Sequence, residues 1–417
     1  MNPDATISSQ DRTHAGATAA HVHDSPFIRA PEGAHTVFTV TIFAVCGPLL
    51  GGIVLFGWQG ALVAALAITS CVVTELLYYR VTRIPALLGR SHAVLTGTLL
   101  ALTLPAFVPW FVPVVAGAFA IIVGKAVFGG VGHFVWQPAL VGRLAVAVMF
   151  PALLTISDAR FPHRLPVLAQ NRLLVGDVHE AAVGDDIAPW RGRAAPSGKD
   201  AFLLTSPTET LRGLTDRQSP AFSALVFRPA DQLDARPAAL LQMPPMENLF
   251  YGTRPGGLGE TGIVLLIVAC LYLTYRNYLK WELPLAMLLA AWAAVAVAPI
   301  YLAGPNNTVR TLWLPLLSPE GADTALTYIS YQLLSGQLAL AIVLASVEMT
   351  SRPVTTGGQV LFGLGCGTLA MLLQLYTTVP IPCLMAVLAM NTLTPTIDRF
   401  WRPRVFGTRH FAILRGE

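Results

Sequence analysis

Two acids stand in otherwise apolar stretches: Glu75 in VVTELLYYR and Glu348 at the end of LALAIVLASVE. A carboxylate held at membrane depth is costly, and its usual chemistry is to bind and release a cation or proton. The competing reading makes Glu75 a structural acid paired with Arg80 or Arg83 near an interface, and Glu348 reads the same two ways. A third group lies in KDAFLLTSPTETLR, residues 199–212. There Thr205 and Ser206 precede Pro207, and Asp200 stands six positions before Ser206. A hydroxyl so placed is either an ordinary loop residue or a point of covalent attachment. His92 and His133 each stand without a second ligand at helical spacing, so no metal site is expected. Five cysteines, Cys46, Cys71, Cys270, Cys366 and Cys383, are far apart in apolar segments and read as buried small hydrophobes.

The elements that must hold these residues are helices in a membrane. Of 417 residues 54% are hydrophobic and 12% charged, against about a quarter charged in soluble domains. A span needs roughly 20 apolar residues. Ten spans are expected, at 37–56, 61–79, 93–105, 107–128, 136–154, 261–276, 282–302, 324–347, 359–376 and 380–397. The expected fold is thus an all-α polytopic membrane protein. A tail at 1–36 precedes the first five spans (37–154), and a loop region at 155–260 separates them from the second five (261–397), which a tail at 398–417 follows. The polar N-terminal stretch has no early apolar run, so no cleaved signal peptide is expected. Arg80, Arg83, Arg90, Lys125, Arg276, Lys280 and Arg352 fall in one set of short loops, whereas the other set holds Arg310. By the positive-inside rule both termini are cytoplasmic and 155–260 is external. LTGTLLAL at 95–102 is matched by LSGQLALA at 334–341, five spans apart, which makes the two five-helix halves inverted. Trp58, Trp110, Trp136, Trp281, Trp292, Trp313 and Trp401 read mostly as an interfacial belt against the lipid bilayer. The formal net charge of +4 is spread over span ends, so no nucleic-acid partner is expected.

Seven segments occur in a recognisable order: SPFIRAP (25–31), LTGTLLALTLP (95–105), KAVFGGVGHFVWQPALVGR (125–143), GLGETG (257–262), LLSGQ (333–337), SRPVTTGGQ (351–359) and MNTLTPTIDR (390–399). Together they resemble the RnfD/NqrB family of membrane subunits of the Rnf and Nqr complexes, from residue 25 to about 404. The resemblance implies a membrane component of an ion-translocating oxidoreductase in the cell inner membrane. Electrons would pass by way of flavin, coupled to Na⁺ or H⁺ movement. The partners it implies are the other subunits of the redox complex and a flavin transferase. Family members carry FMN on an external-loop threonine, in a pattern like Asp-x-x-Ser-Gly-Ala-Thr-Pro. On this chain Asp200 and Pro207 match, and Ser206 takes the threonine's place, with Thr208 and Thr210 as weaker candidates. Leu203-Leu204-Thr205 replaces Ser-Gly-Ala, which removes the glycine that lets backbone approach a ligand. The resemblance further makes Arg29 either a flavin-phosphate partner or an interfacial anchor. Gly129, Gly130, Gly132 and Gly142 line a flavin or ion, or else pack helices closely. Gln137-Pro138 stands where relatives have Asn-Pro. The chain contributes to a translocase and is not a complete enzyme, since it lacks iron–sulfur spacing. A rival reading is a flavin-free scaffold or solute channel on the same inverted-repeat bundle.

Overall fold

A computed structural model describes residues 33–83, 91–154, 159–161, 193–194, 202–204, 246–252, 256–303, 309–312, 322–377 and 379–401. The apolar runs in these stretches are helices, because in hydrocarbon a helix satisfies its backbone within the segment. In chain order they are α1 (Ala34–Phe56), α2 (Trp58–Thr82), α3 (Ser91–Thr103) and α4 (Phe111–Ile121), the last running into a π-turn at Ile122–Ala126. Next come α5 (Pro138–Met149) and the single turn α6 (Pro151–Leu154). After the short α7 (Met246–Tyr251) follow α8 (Ile263–Tyr275), α9 (Glu282–Val297), α10 (Ala322–Ser335), α11 (Leu338–Val347), α12 (Thr356–Tyr376) and α13 (Pro382–Phe400). Pro138 and Pro382 open α5 and α13, where the missing N–H has no helical partner to lose.

α1, α2 and α12 are each long and apolar enough to cross a membrane. α10 and α11 form a fourth such segment, bent by 52°, and α3, α4, α5, α8 and α9 are shorter apolar helices. Phe43, Val54, Leu77, Leu271 and Leu289 are exposed on their outer faces, a surface suited to lipid and rare on soluble monomers.

Every expected span contains a helix, but that at 136–154 is two helices interrupted at Phe150, and two more differ in form. The helix expected at 282–302 stops at Val297, and Ile300–Ala303 is instead a strand, β4, paired antiparallel with β5 (Val309–Leu312). The span expected at 324–347 is broken at Gly336-Gln337. The break leaves helix carbonyls without their usual donors. Gln374 of α12 answers this: its Nε2 donates to the Gln332 carbonyl at 3.0 Å. A side chain at 336 would run into that same amide, which explains the glycine. In the region 155–260, β1 (Ala159–Phe161), β2 (Arg193–Ala194) and β3 (Phe202–Leu204) form an antiparallel sheet in the order β1-β3-β2.

The helices pack in two groups with matching partners. α1 lies on α3 as α8 lies on α11, α2 on α4 as α9 on α12, and α4 on α5 as α12 on α13. The groups meet where α1 touches α8 and α5 touches α13. Glycines mark the closest crossings, since small residues let helix backbones approach in lipid. A Cβ on Gly97 would stand 2.6 Å from the Ile68 Cα, and one on Gly367 would strike the Met287 carbonyl. Gly367→Leu is therefore expected to destabilise the bundle by about 1–3 kcal/mol through overpacking. A melt of the detergent-purified protein reads this as a lowered Tm; an unchanged Tm would contradict the crossing. Among the described residues no cysteine is in a disulfide; Cys71, Cys366 and Cys383 are buried, as expected, whereas Cys46 and Cys270 are half-buried. Trp58, Trp110, Trp281 and Trp401 are exposed near helix ends, whereas Trp292 falls inside α9.

Candidate functional site: a buried charge chain between the two helix groups

The inward stripe of α2 is Gly60, Val63, Ala64, Ala67, Cys71 and Glu75, all buried. Glu75 thus continues an apolar seam and points into the bundle, not along the surface. Its partner is the Lys125 ammonium, which donates to Glu75 Oε1. Arg80 and Arg83, the partners considered from sequence, are exposed. Lys125 itself is 2% exposed. Its reading as a charge in a short loop is wrong, because the π-turn carries it inside the protein. Single π-turns commonly sit at functional sites.

The chain of polar groups continues. Lys125 Nζ stands 3.2 Å from His92 Nδ1, and His92 Nε2 stands 3.8 Å from Glu348 Oε2. An ammonium has only hydrogens to give, so Nδ1 accepts and the neutral ring carries its proton on Nε2, towards Glu348. Phe38 and Phe134 flank the imidazole, with ring centroids at 5.0 and 5.6 Å. Glu348 follows the last turn of α11. Beyond it, Arg352 donates to the carbonyls of Ser346 (2.7 Å) and Tyr278 (3.3 Å). Burial lowers the Arg352 guanidinium below its ordinary value, and the Glu348 carboxylate opposes that shift. Glu75, Lys125, His92 and Glu348 are all buried and come from α2, the π-turn, α3 and the end of α11, so the chain runs from one helix group to the other. Glu75 Oε2 and His92 Nε2 are buried without a hydrogen-bond partner among the described residues. Such a row can move a proton between neighbouring bases, with histidine in the middle.

A second polar group lies at the opposite end of α3. That helix ends at Thr103, and its backbone then pairs with the segment before α8: Gly259 N donates to the Leu102 carbonyl at 2.9 Å and Leu258 N to Leu104 at 3.0 Å. The buried Arg143 of α5 donates from Nε to the Thr103 carbonyl at 3.0 Å. Glu260 accepts from Gly257 N at 2.7 Å and from Gln337, at the break of the bent span, at 3.5 Å. Arg143 Nη1 and Gln337 Oε1 have no hydrogen-bond partner among the described residues. Irregular backbone at membrane depth is tolerated where protein groups satisfy it, and these do so.

Of the residues singled out from sequence, the structure joins Glu75 and Glu348 through Lys125 and His92. Gly129, Gly130 and Gly132 take φ of 98°, 101° and 94° after the π-turn, with open space where a side chain would stand. That open space speaks against tight packing there. Gln137 is buried with neither amide atom hydrogen-bonded among the described residues. Asp200, Ser206, Thr208, Thr210 and Arg29 lie outside the described residues. Just before Ser206, Leu203 and Leu204 are in the central strand β3. Sequence reading missed His92 and Lys125 as site members. The one local signal was a histidine and a lysine at the edges of apolar runs.

Apolar helices around buried, interconnected charges are those of an α-helical membrane protein. The chain belongs to the NQR2, RnfD, RnfE family, whose model matches residues 21–407. It is 29% identical, over 92% of its length and 94% of the relative's, to the D subunit of the ion-translocating oxidoreductase complex of Halorhodospira halophila. It is 26% identical to the D subunit of the proton-translocating ferredoxin:NAD(+) oxidoreductase complex of Clostridium ljungdahlii, over 93% and 96%. The D subunit of the Na(+)-translocating ferredoxin:NAD(+) oxidoreductase complex of Acetobacterium woodii is likewise 26% identical, over 93% and 95%.

Proposed function

We propose that this chain is the RnfD component of an Rnf-type ion-translocating oxidoreductase in the cell inner membrane, and that Glu75–Lys125–His92–Glu348 is its coupling element. The carrying observation is the buried charge chain that links the two helix groups. The matched packing of those groups supports ten spans in two inverted halves, with both termini cytoplasmic by the loop charges. Other components of the complex supply and remove electrons.

The donor set favours a proton over a sodium ion. Hard cations take several oxygen ligands and are repelled by fixed positive charge. This chain offers an ammonium and an imidazole between its carboxylates. Complex purified and reconstituted in vesicles, given reduced ferredoxin and NAD⁺, is expected to take up protons in sodium-free buffer. Uptake that requires sodium would overturn the proton reading.

FMN on Ser206 is the flavin part of the reading, resting on the Asp200, Ser206 and Pro207 spacing, with a flavin transferase as the attaching partner. In-gel fluorescence of the chain co-expressed with its own transferase is expected, lost in Ser206→Ala and kept in Thr208→Ala and Thr210→Ala. A wild-type band without flavin mass refutes attachment and favours the flavin-free scaffold. Gly129 and Gly130 present open backbone that a ligand can approach closely.

A further inference from the structure

The bend between α10 and α11 opens a groove of about 590 Å³ against α8 and α9, within the range of about 300–1,000 Å³ typical of ligand pockets. Its walls are branched aliphatic side chains, among them Leu271, Leu285, Leu334, Leu338 and Ile342. The Thr274 hydroxyl in the lining is spent on the Cys270 carbonyl at 2.8 Å. Ser330 is the other hydroxyl in the lining, so the occupant is held mainly by hydrocarbon contact.

Two occupants have that chemistry: another helix or an acyl chain. The closest helix crossings inside this protein carry glycine, as at Gly97, Gly142, Gly363 and Gly367. The groove wall contains none. Branched side chains keep a second backbone at a distance, whereas a flexible chain threads between them. One end of the groove is basic. Thr274 and Trp281 line it, and the turn between them carries Arg276 and Lys280, both exposed. Trp281 is exposed at the rim, as at a bilayer interface. Glu282 follows, part-buried in the first turn of α9, where a helix start favours an acid. The exposed charges at this end are both positive.

We propose that the groove is a binding site for an anionic phospholipid, one acyl chain lying between α8, α9 and α11 and the headgroup phosphate at Arg276 and Lys280. The site is separate from the charge chain and does not depend on its role. The test is native mass spectrometry of the purified full-length protein, incubated with equal amounts of phosphatidylglycerol and phosphatidylcholine of the same chain length. Phosphatidylglycerol is expected to be retained in preference. Each of Arg276→Ala and Lys280→Ala is expected to lower that preference about fivefold. These are exposed turn residues, so the fold should survive. Leu338→Trp, which fills the groove, is expected to lower retention of both lipids. Equal retention of the two lipids by wild type, or an unchanged preference in the Arg276→Ala/Lys280→Ala variant, overturns the proposal. So does a helix from another component crosslinking to Cys270 in the assembled complex.

Discussion

Lys125→Met is expected to abolish accumulation of the folded protein. The change leaves Glu75 as a buried carboxylate without its cation, a defect of about 3–5 kcal/mol, against a total stability of about 5–15 kcal/mol for a typical protein. Glu75→Gln also leaves a buried charge without its counter-ion, but should be milder for folding, because the amide oxygen and His92 Nδ1 still accept from Lys125. Its effect falls on function: an amide cannot take up and release a proton. Proton uptake per assembled complex is expected to fall by about 100-fold, the order seen when a positioned proton-transfer group is removed. The Glu75→Gln/Lys125→Met variant separates the two roles. It carries no unpaired charge, so its yield should exceed that of Lys125→Met while uptake stays absent. Yield and uptake are measured together, by fluorescence of the tagged protein and by a pH-sensitive dye in vesicles. If Glu75→Gln loses yield but keeps normal uptake per complex, the pair is structural.

The sequence revealed most of the helices and half of this site, and the reasons differ residue by residue. Glu75 was legible because an acid among Val, Leu and Tyr has no cheap place in lipid. Lys125 was not. It stands next to a glycine-rich turn, where a loop lysine and a buried one look alike, and only the π-turn decides between them. His92 contacts Lys125, 33 positions away, and Glu348, 256 positions away; such pairings follow from packing and leave no local pattern. The bent span announced itself weakly through Gly336 in LLSGQ, but that the gap is closed by Gln374 required the neighbouring helix. The span expected at 282–302 ran too long because Ile300, Tyr301 and Leu302 are as apolar as a helix and as suited to a strand.

Arg143 carries the second large effect. Its Nε holds the Thr103 carbonyl at the end of α3, a backbone group that no helical N–H reaches. The guanidinium also feels the charge of the Glu260 carboxylate, whose Oε2 holds the turn at Gly257 and meets Gln337 of the bent span. Arg143→Met therefore removes a backbone cap and a balancing charge together, at a buried position. The expected loss is again about 3–5 kcal/mol, read as a collapse in yield or a Tm too low to measure. Arg143→Lys keeps the charge but presents a compact ammonium in place of a fork, so it should rescue folding only in part. Glu260→Gln keeps an oxygen for Gly257 N, and in the Arg143→Met background it should raise the yield, because the remaining carboxylate is gone. The sign of that second-site effect decides the matter. If Glu260→Gln lowers the yield equally in both backgrounds, Arg143 and Glu260 act independently, and Arg143 is then only the cap of one broken helix.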